Sequence, residues 1–147
     1  MKKILFLFLL FYSIIGYCQD VKFDSILINP NELPSEFKTT KELECQSIQA
    51  KLFYNSPEIY NFILGKLTNK QFQTFEYEGN SGSILYFEFD KESKESKGFI
   101  EGLLWGGKKP TKLHPENIFT KGNFLIITSF PFKSKINEIL TEIISKK

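Results

Sequence analysis

Three groups of residues in this sequence have side chains capable of chemistry. The first is a thiol and an imidazole, Cys45 and His114, the latter the one histidine of the chain. A thiol beside an imidazole can serve as a nucleophile, and such partners meet in space rather than in sequence, so their separation neither favours nor forbids the pairing. No motif of a thiol hydrolase surrounds either residue. The plainer reading is a buried thiol and a surface imidazole in the loop Lys112-Leu113-His114-Pro115-Glu116.

The second group is acidic. Glu76 and Glu78, like Glu88 and Asp90, stand two residues apart, which places each pair on one face of an extended strand. Paired carboxylates can hydrolyse a glycosidic bond or hold a cation. They equally keep a sheet edge soluble, and that reading is preferred.

The third group is Trp105-Gly106-Gly107-Lys108-Lys109, with His114 just beyond. The run has the glycines and lysine of a phosphate loop but lacks the GxxxxGK[ST] spacing, and Pro110 removes an amide donor. What it can form is a flexible rim beside an indole, where lysines and free amides meet an acidic ligand. Trp105, Gly106, Gly107, Lys108, Lys109 and His114 are therefore the candidate ligand- or partner-binding residues, and no residue is singled out as catalytic.

Charge excludes more than it suggests. The chain carries 19 basic residues, all of them lysine, against 17 acidic ones. Without Lys2 and Lys3 the balance is even, so no basic surface is left for nucleic acid. The absence of arginine removes the planar fork that grips phosphate and carboxylate in bidentate fashion. Phe supplies 16 of the aromatic residues against one Trp, the composition of a core rather than of a sugar-stacking platform.

Met1 to Gln19 has a basic start, an apolar run from Ile4 to Ile15 broken only by Ser13, and a polar exit. It resembles bacterial secretory signal peptides whose mature chain begins with Gln, with Gly16 and Cys18 as the small residues before the cut. That resemblance implies an exported protein, periplasmic or secreted. A lipoprotein leader is the rival: Cys18 would then carry a lipid anchor, although Tyr17 is large where a small residue is usual. The apolar run of about 12 residues is short of the roughly 20 that cross a bilayer as a helix, so no transmembrane span is expected in the mature chain. With Cys18 removed, Cys45 stands alone, which excludes an internal disulfide; one Cys and one His also fall short of a structural zinc site. No metal or cofactor is expected.

The elements that must position these residues follow from periodicity. Residues 1–18 are read as the signal peptide and 19–147 as a single α+β domain whose first part, 19–40, is an irregular arm with a short strand over Ser25 to Ile28. Thr39 and Glu42 form a capping-box pattern ahead of Lys41 to Phe53, a helix by composition but a strand by the alternation of Ile48, Ala50, Leu52 and Tyr54. Ser56, Pro57 and Glu58 predict a helix start that continues to about Leu67. Gln71 to Glu78 and Ser83 to Asp90 alternate around Gly79-Asn80-Ser81-Gly82, a hairpin pattern. Lys91 to Lys97 is a charged connection, Gly98 to Trp105 reads as a third strand, and Asn123 to Phe130 as a fourth that is apolar on both faces. Ser134 caps a closing helix with Ile136, Ile139, Leu140, Ile143 and Ile144 on one stripe.

These elements predict an antiparallel sheet of about four strands packed against N-terminal helices and a C-terminal amphipathic helix. Both faces of its strands are apolar, so either the arm covers the second face or an aromatic surface stays open for a ligand. The expected function is a non-enzymatic module of the cell envelope or secretome that binds a small apolar ligand or an envelope protein. Two other classes stay open: a small hydrolase using Cys45 and His114 or the strand carboxylates, and an inhibitor or immunity-type protein that blocks one partner.

Overall fold

In the computed structural model, which describes residues 22–106 and 109–147, the chain runs α1 (Phe23–Ile26), β1 (Lys38–Thr40), α2 (Ile48–Asn55), α3 (Asn61–Leu64), β2 (Leu67–Tyr77), β3 (Asn80–Phe89), α4 (Lys97–Trp105), β4 (Asn117–Lys121), β5 (Phe124–Ser129) and α5 (Lys135–Lys146). Short 3-10 turns stand at Pro30–Glu32, Pro57–Tyr60 and Lys94–Ser96. The class is α+β. Five strands, one more than the sequence suggests, form an antiparallel sheet in the order β1-β2-β3-β5-β4.

The hairpin of β2 and β3 is the frame. Its turn is Glu78-Gly79, two residues earlier than the glycine pattern implies, with φ of 49° and 72° and Tyr77 opposite Asn80. Two successive positive φ angles give the turn whose twist matches its strands. Gly82 is needed for another reason: it lies in β3, where a Cβ would run into the Ser129 carbonyl and the Phe130 ring. β5 is an interior strand with every residue buried, as its two apolar faces require.

Four expectations are corrected. Gly98 to Trp105 is the helix α4 and not a strand. The sequence Phe99, Ile100, Leu103, Leu104 satisfies both periods, and the structure selects the one that buries Ile100 and Leu104 together on one helical face. The added fifth strand is β4, which the sequence reading left as part of a long connection. The helix over Lys41 to Phe53 starts only after Ser47, whose Oγ accepts from the Ala50 amide at 3.1 Å, while Thr39 lies in β1. The helix expected from Ser56 to Leu67 is a 3-10 turn followed by the single turn α3, which stops before Gly65 (φ 88°), and Leu67 already belongs to β2. In the arm, Ser25 and Ile26 fall in the helical turn α1 rather than in a strand.

Both sheet faces are covered. On one, Ile26 and Ile28 of the arm and Ile136, Leu140 and Ile144 of α5 bury Phe75, Tyr86, Phe124 and Ile126. On the other, Ala50 and Phe53 of α2, Leu64 of α3, and Ile100 and Leu104 of α4 bury Leu85, Phe87, Leu125 and Ile127. Each fully buried Phe or Leu contributes on the order of 1.5–3 kcal/mol. The open aromatic face considered from the sequence does not exist. The arm closes it, fastened by the Gln73 amide, which bonds both the N–H and the C=O of Ile28 at 2.9 Å.

Candidate functional site

Strand register aligns three hydroxyls in one row. Thr74 of β2 stands opposite Ser83 of β3, and Ser83 opposite Ser129 of β5, all on the face covered by α2 and α4. The segment between β1 and α2 crosses this row. Thr74 Oγ1 donates to the Glu42 carbonyl at 2.7 Å, and the amides of Glu44 and Gln46 donate to Ser83 Oγ and Ser129 Oγ at 2.9 and 2.8 Å. Thr74 and Ser83 lie 2.6 Å apart. Thr74 has given its single proton to Glu42, so Ser83 is the donor between them.

Glu116 terminates the row. Its side chain is wholly buried, and Oε1 accepts from Ser47 at 2.5 Å and from Ser129 at 3.2 Å. Oε2 has no partner among the described residues. The Trp105 indole N–H donates to the Glu116 carbonyl at 2.8 Å. Ser47 thus caps α2 with one lone pair and bonds Glu116 with its proton.

This network decides the chemistry of Cys45. The thiol is half-buried beside the row, and desolvation first, then the nearby Glu116 and Glu44 carboxylates, push it up to about 12 against the weaker opposing pull of Lys51. A thiol held protonated at neutral pH is a poor nucleophile. No hydrogen bond joins Cys45 to His114 among the described residues; His114 Nδ1 is buried and unpartnered, and its amide is bonded to Thr111 Oγ1 at 3.2 Å.

The strand carboxylates are not brought together. Glu76 is opposite Ser81 near the turn and Glu88 opposite Asn69 at the other end of the hairpin. Glu78 belongs to the turn, where a hydrogen bond from Lys135 holds its carboxyl below the usual range. Asp90 lies past the strand and accepts from the Lys66 amide at 2.7 Å. Among the described residues no three His, Cys, Asp or Glu side chains are grouped to hold a metal.

The expected rim is only partly visible. Trp105 packs half-buried at the end of α4 with its indole engaged on Glu116, Gly106 closes that helix with φ of 61°, and Lys109 is exposed. Gly107 and Lys108 lie outside the described residues, as does Cys18.

What the sequence reading missed is on the outside of the helical layer. Ile48 and Leu52 of α2, Ile59 of the following 3-10 turn and Phe62 of α3 are 74%, 62%, 65% and 79% exposed, with Phe99 of α4 at 38%. Grouping Ile48 and Leu52 with Cys45 as a core face inverts α2. The buried pair is Ala50 and Phe53, so Ile48 and Leu52, four residues apart, share the outward face. The larger cleft, of about 570 Å³, lies between Ile63 and the segment Lys91, Glu92, Lys94 and Ser96, and is lined mostly by charged and polar groups.

Compared with known proteins, the chain matches no family model, no curated protein and no solved structure. No helix among the described residues is long and apolar enough to cross a membrane.

Proposed function

We propose that this is an exported, non-catalytic module that holds a protein of the cell envelope or secretome through the outer surface of its helical layer. The observation that carries the reading is the exposure of Ile48, Leu52, Ile59 and Phe62 on consecutive elements over an inner side that is already filled. Single exposed apolar residues are ordinary. Several gathered on one layer mark an interaction surface. The leader pattern of Met1 to Gln19 supports export.

A protein partner is favoured over a small apolar ligand because the sheet faces are occupied by the chain's own helices, and the larger cleft has a charged lining. Thiol hydrolysis loses support from the protonated Cys45. The test is recovery of the protein from its native envelope by crosslinking, with the wild type against Phe62→Asp and Leu52→Asp. A stoichiometric partner lost in both variants, at unchanged melting temperature, is the expected result. Equal recovery of that partner by wild type and variants, or wild type without a partner, overturns the reading.

A further inference from the structure

β2 is eleven residues long, but β1 covers only one end of it, pairing Lys38, Thr39 and Thr40 with Glu76, Phe75 and Thr74. The phase of the hairpin shows which groups are left bare. A two-residue turn closes on a hydrogen-bonded pair, Tyr77 with Asn80, so odd-numbered residues of β2 bond to β3 and even-numbered ones turn their N–H and C=O outward. Thr74 and Glu76 give theirs to β1. Those of Lys70 and Phe72 have no partner among the described residues, and the register shift between Leu67 and Asn69 ends the regular edge.

Sheet edges are usually blunted by a lysine that projects past them. Lys70 does not project: its ammonium turns back 2.8 Å from the Tyr54 carbonyl and sits 5.0 Å over the Tyr54 ring. We propose that this edge is a dimerisation surface on which two copies of the chain pair β2 antiparallel about a two-fold axis at Gln71. In that register Lys70 faces the partner's Phe72, and Phe72 the partner's Lys70. Each pair exchanges both main-chain bonds and so satisfies every bare group on the two strands. Asn69 faces the partner's Gln73, amide against amide, and no charge meets a like charge. The next pair outward would bring Thr68 to the partner's Thr74, where β1 begins, so the pairing fills the gap that β1 leaves and stops there. The outcome is a continuous ten-stranded sheet with both helical layers on one side. This surface is distinct from that of Ile48, Leu52, Ile59 and Phe62, and its existence does not depend on the reading proposed for them.

The experiment is sedimentation of the purified protein over a concentration series, with Gln71→Glu, Gln71→Lys, their equimolar mixture and Gln71→Ser as a neutral control, together with amide exchange at Lys70 and Phe72. Gln71 is half-exposed and makes no hydrogen bond among the described residues, so the variants are expected to fold, with thermal melting as the check. Wild type and Gln71→Ser should sediment at twice the monomer mass with slow exchange at both amides. Each charged variant alone should associate about tenfold more weakly or worse, and the mixture should restore the dimer. A wild type that stays monomeric, a dimer indifferent to both charges, or a mixture that fails to reassociate overturns the proposal. Slow exchange caused by a co-purified chain of another sequence also overturns it, in favour of an extended peptide on the same edge.

Discussion

Ser47 Oγ lies 2.5 Å from Glu116 Oε1 while accepting the Ala50 amide, so one hydroxyl joins the start of α2 to a carboxylate 69 positions later in the chain. The pair ties the crossing segment, the helix and the approach to β4 into one polar network beneath an apolar layer. Removing either side strands the other in a buried place.

Glu116→Ala leaves the Ser47 and Ser129 hydroxyls without their acceptor. A destabilisation of about 2 kcal/mol or more is expected in urea unfolding. Ser47→Ala, which loses the helix cap and one bond to Glu116, should cost about 1–2 kcal/mol. Additive losses in the double variant would show that the two do not act as one unit.

Cys45 titrates near 12 in the folded chain and near 9 when freed, because burial and neighbouring carboxylates disfavour its thiolate. Its proton is held more tightly when folded, so the contribution to stability is intact below about pH 9 and declines as pH rises toward 12. Burial pushes Tyr86 and Tyr54 upward as well, in the same sense. Alkaline unfolding should begin in that window and be delayed in Cys45→Ala. Alkylation of native Cys45 at neutral pH should be slow and become fast in urea; rapid native labelling would contradict the burial argument.

Gly82→Ala should be the most damaging glycine substitution in the hairpin, since the added methyl meets the Ser129 carbonyl and the Phe130 ring. We expect at least about 1–3 kcal/mol. Gly79→Ala meets open space and is strained only by its φ of 72°, so about 1 kcal/mol is expected. Melting temperatures of the two variants in parallel test the ranking.

Trp105→Phe keeps most of the ring packing and loses the indole bond to the Glu116 carbonyl, at about 1 kcal/mol. Trp105→Ala also empties part of the core and should cost about 3 kcal/mol. Partner recovery by a folded Trp105→Phe chain should match wild type, because the side chain is engaged inward. A loss of recovery without a loss of stability would return the rim to consideration.

The hairpin, β5 and α5 were legible because their signals are local: alternation around glycine, apolar residues on both strand faces, and an i, i+3, i+4 stripe behind a serine cap. α4 was not, because Phe99 to Leu104 fits two periods and only the packing of Ile100 and Leu104 against the sheet chooses between them. The row of Thr74, Ser83 and Ser129 left no trace, since register and not spacing aligns it. Trp105, Gly106, Lys109 and His114 were chosen for their chemistry as free groups. The structure engages Trp105 inward and places the large apolar surface on α2 and α3 instead.

Face one of the sheet is sealed by the two most distant stretches of the described chain, Ile26 and Ile28 on one side and Ile136, Leu140 and Ile144 on the other. A ribosome must therefore release α5 before the arm has anything to close against. Until then Tyr86 and Phe124 stay wet, and the nascent polypeptide lingers in a loose form that a translocation channel can thread.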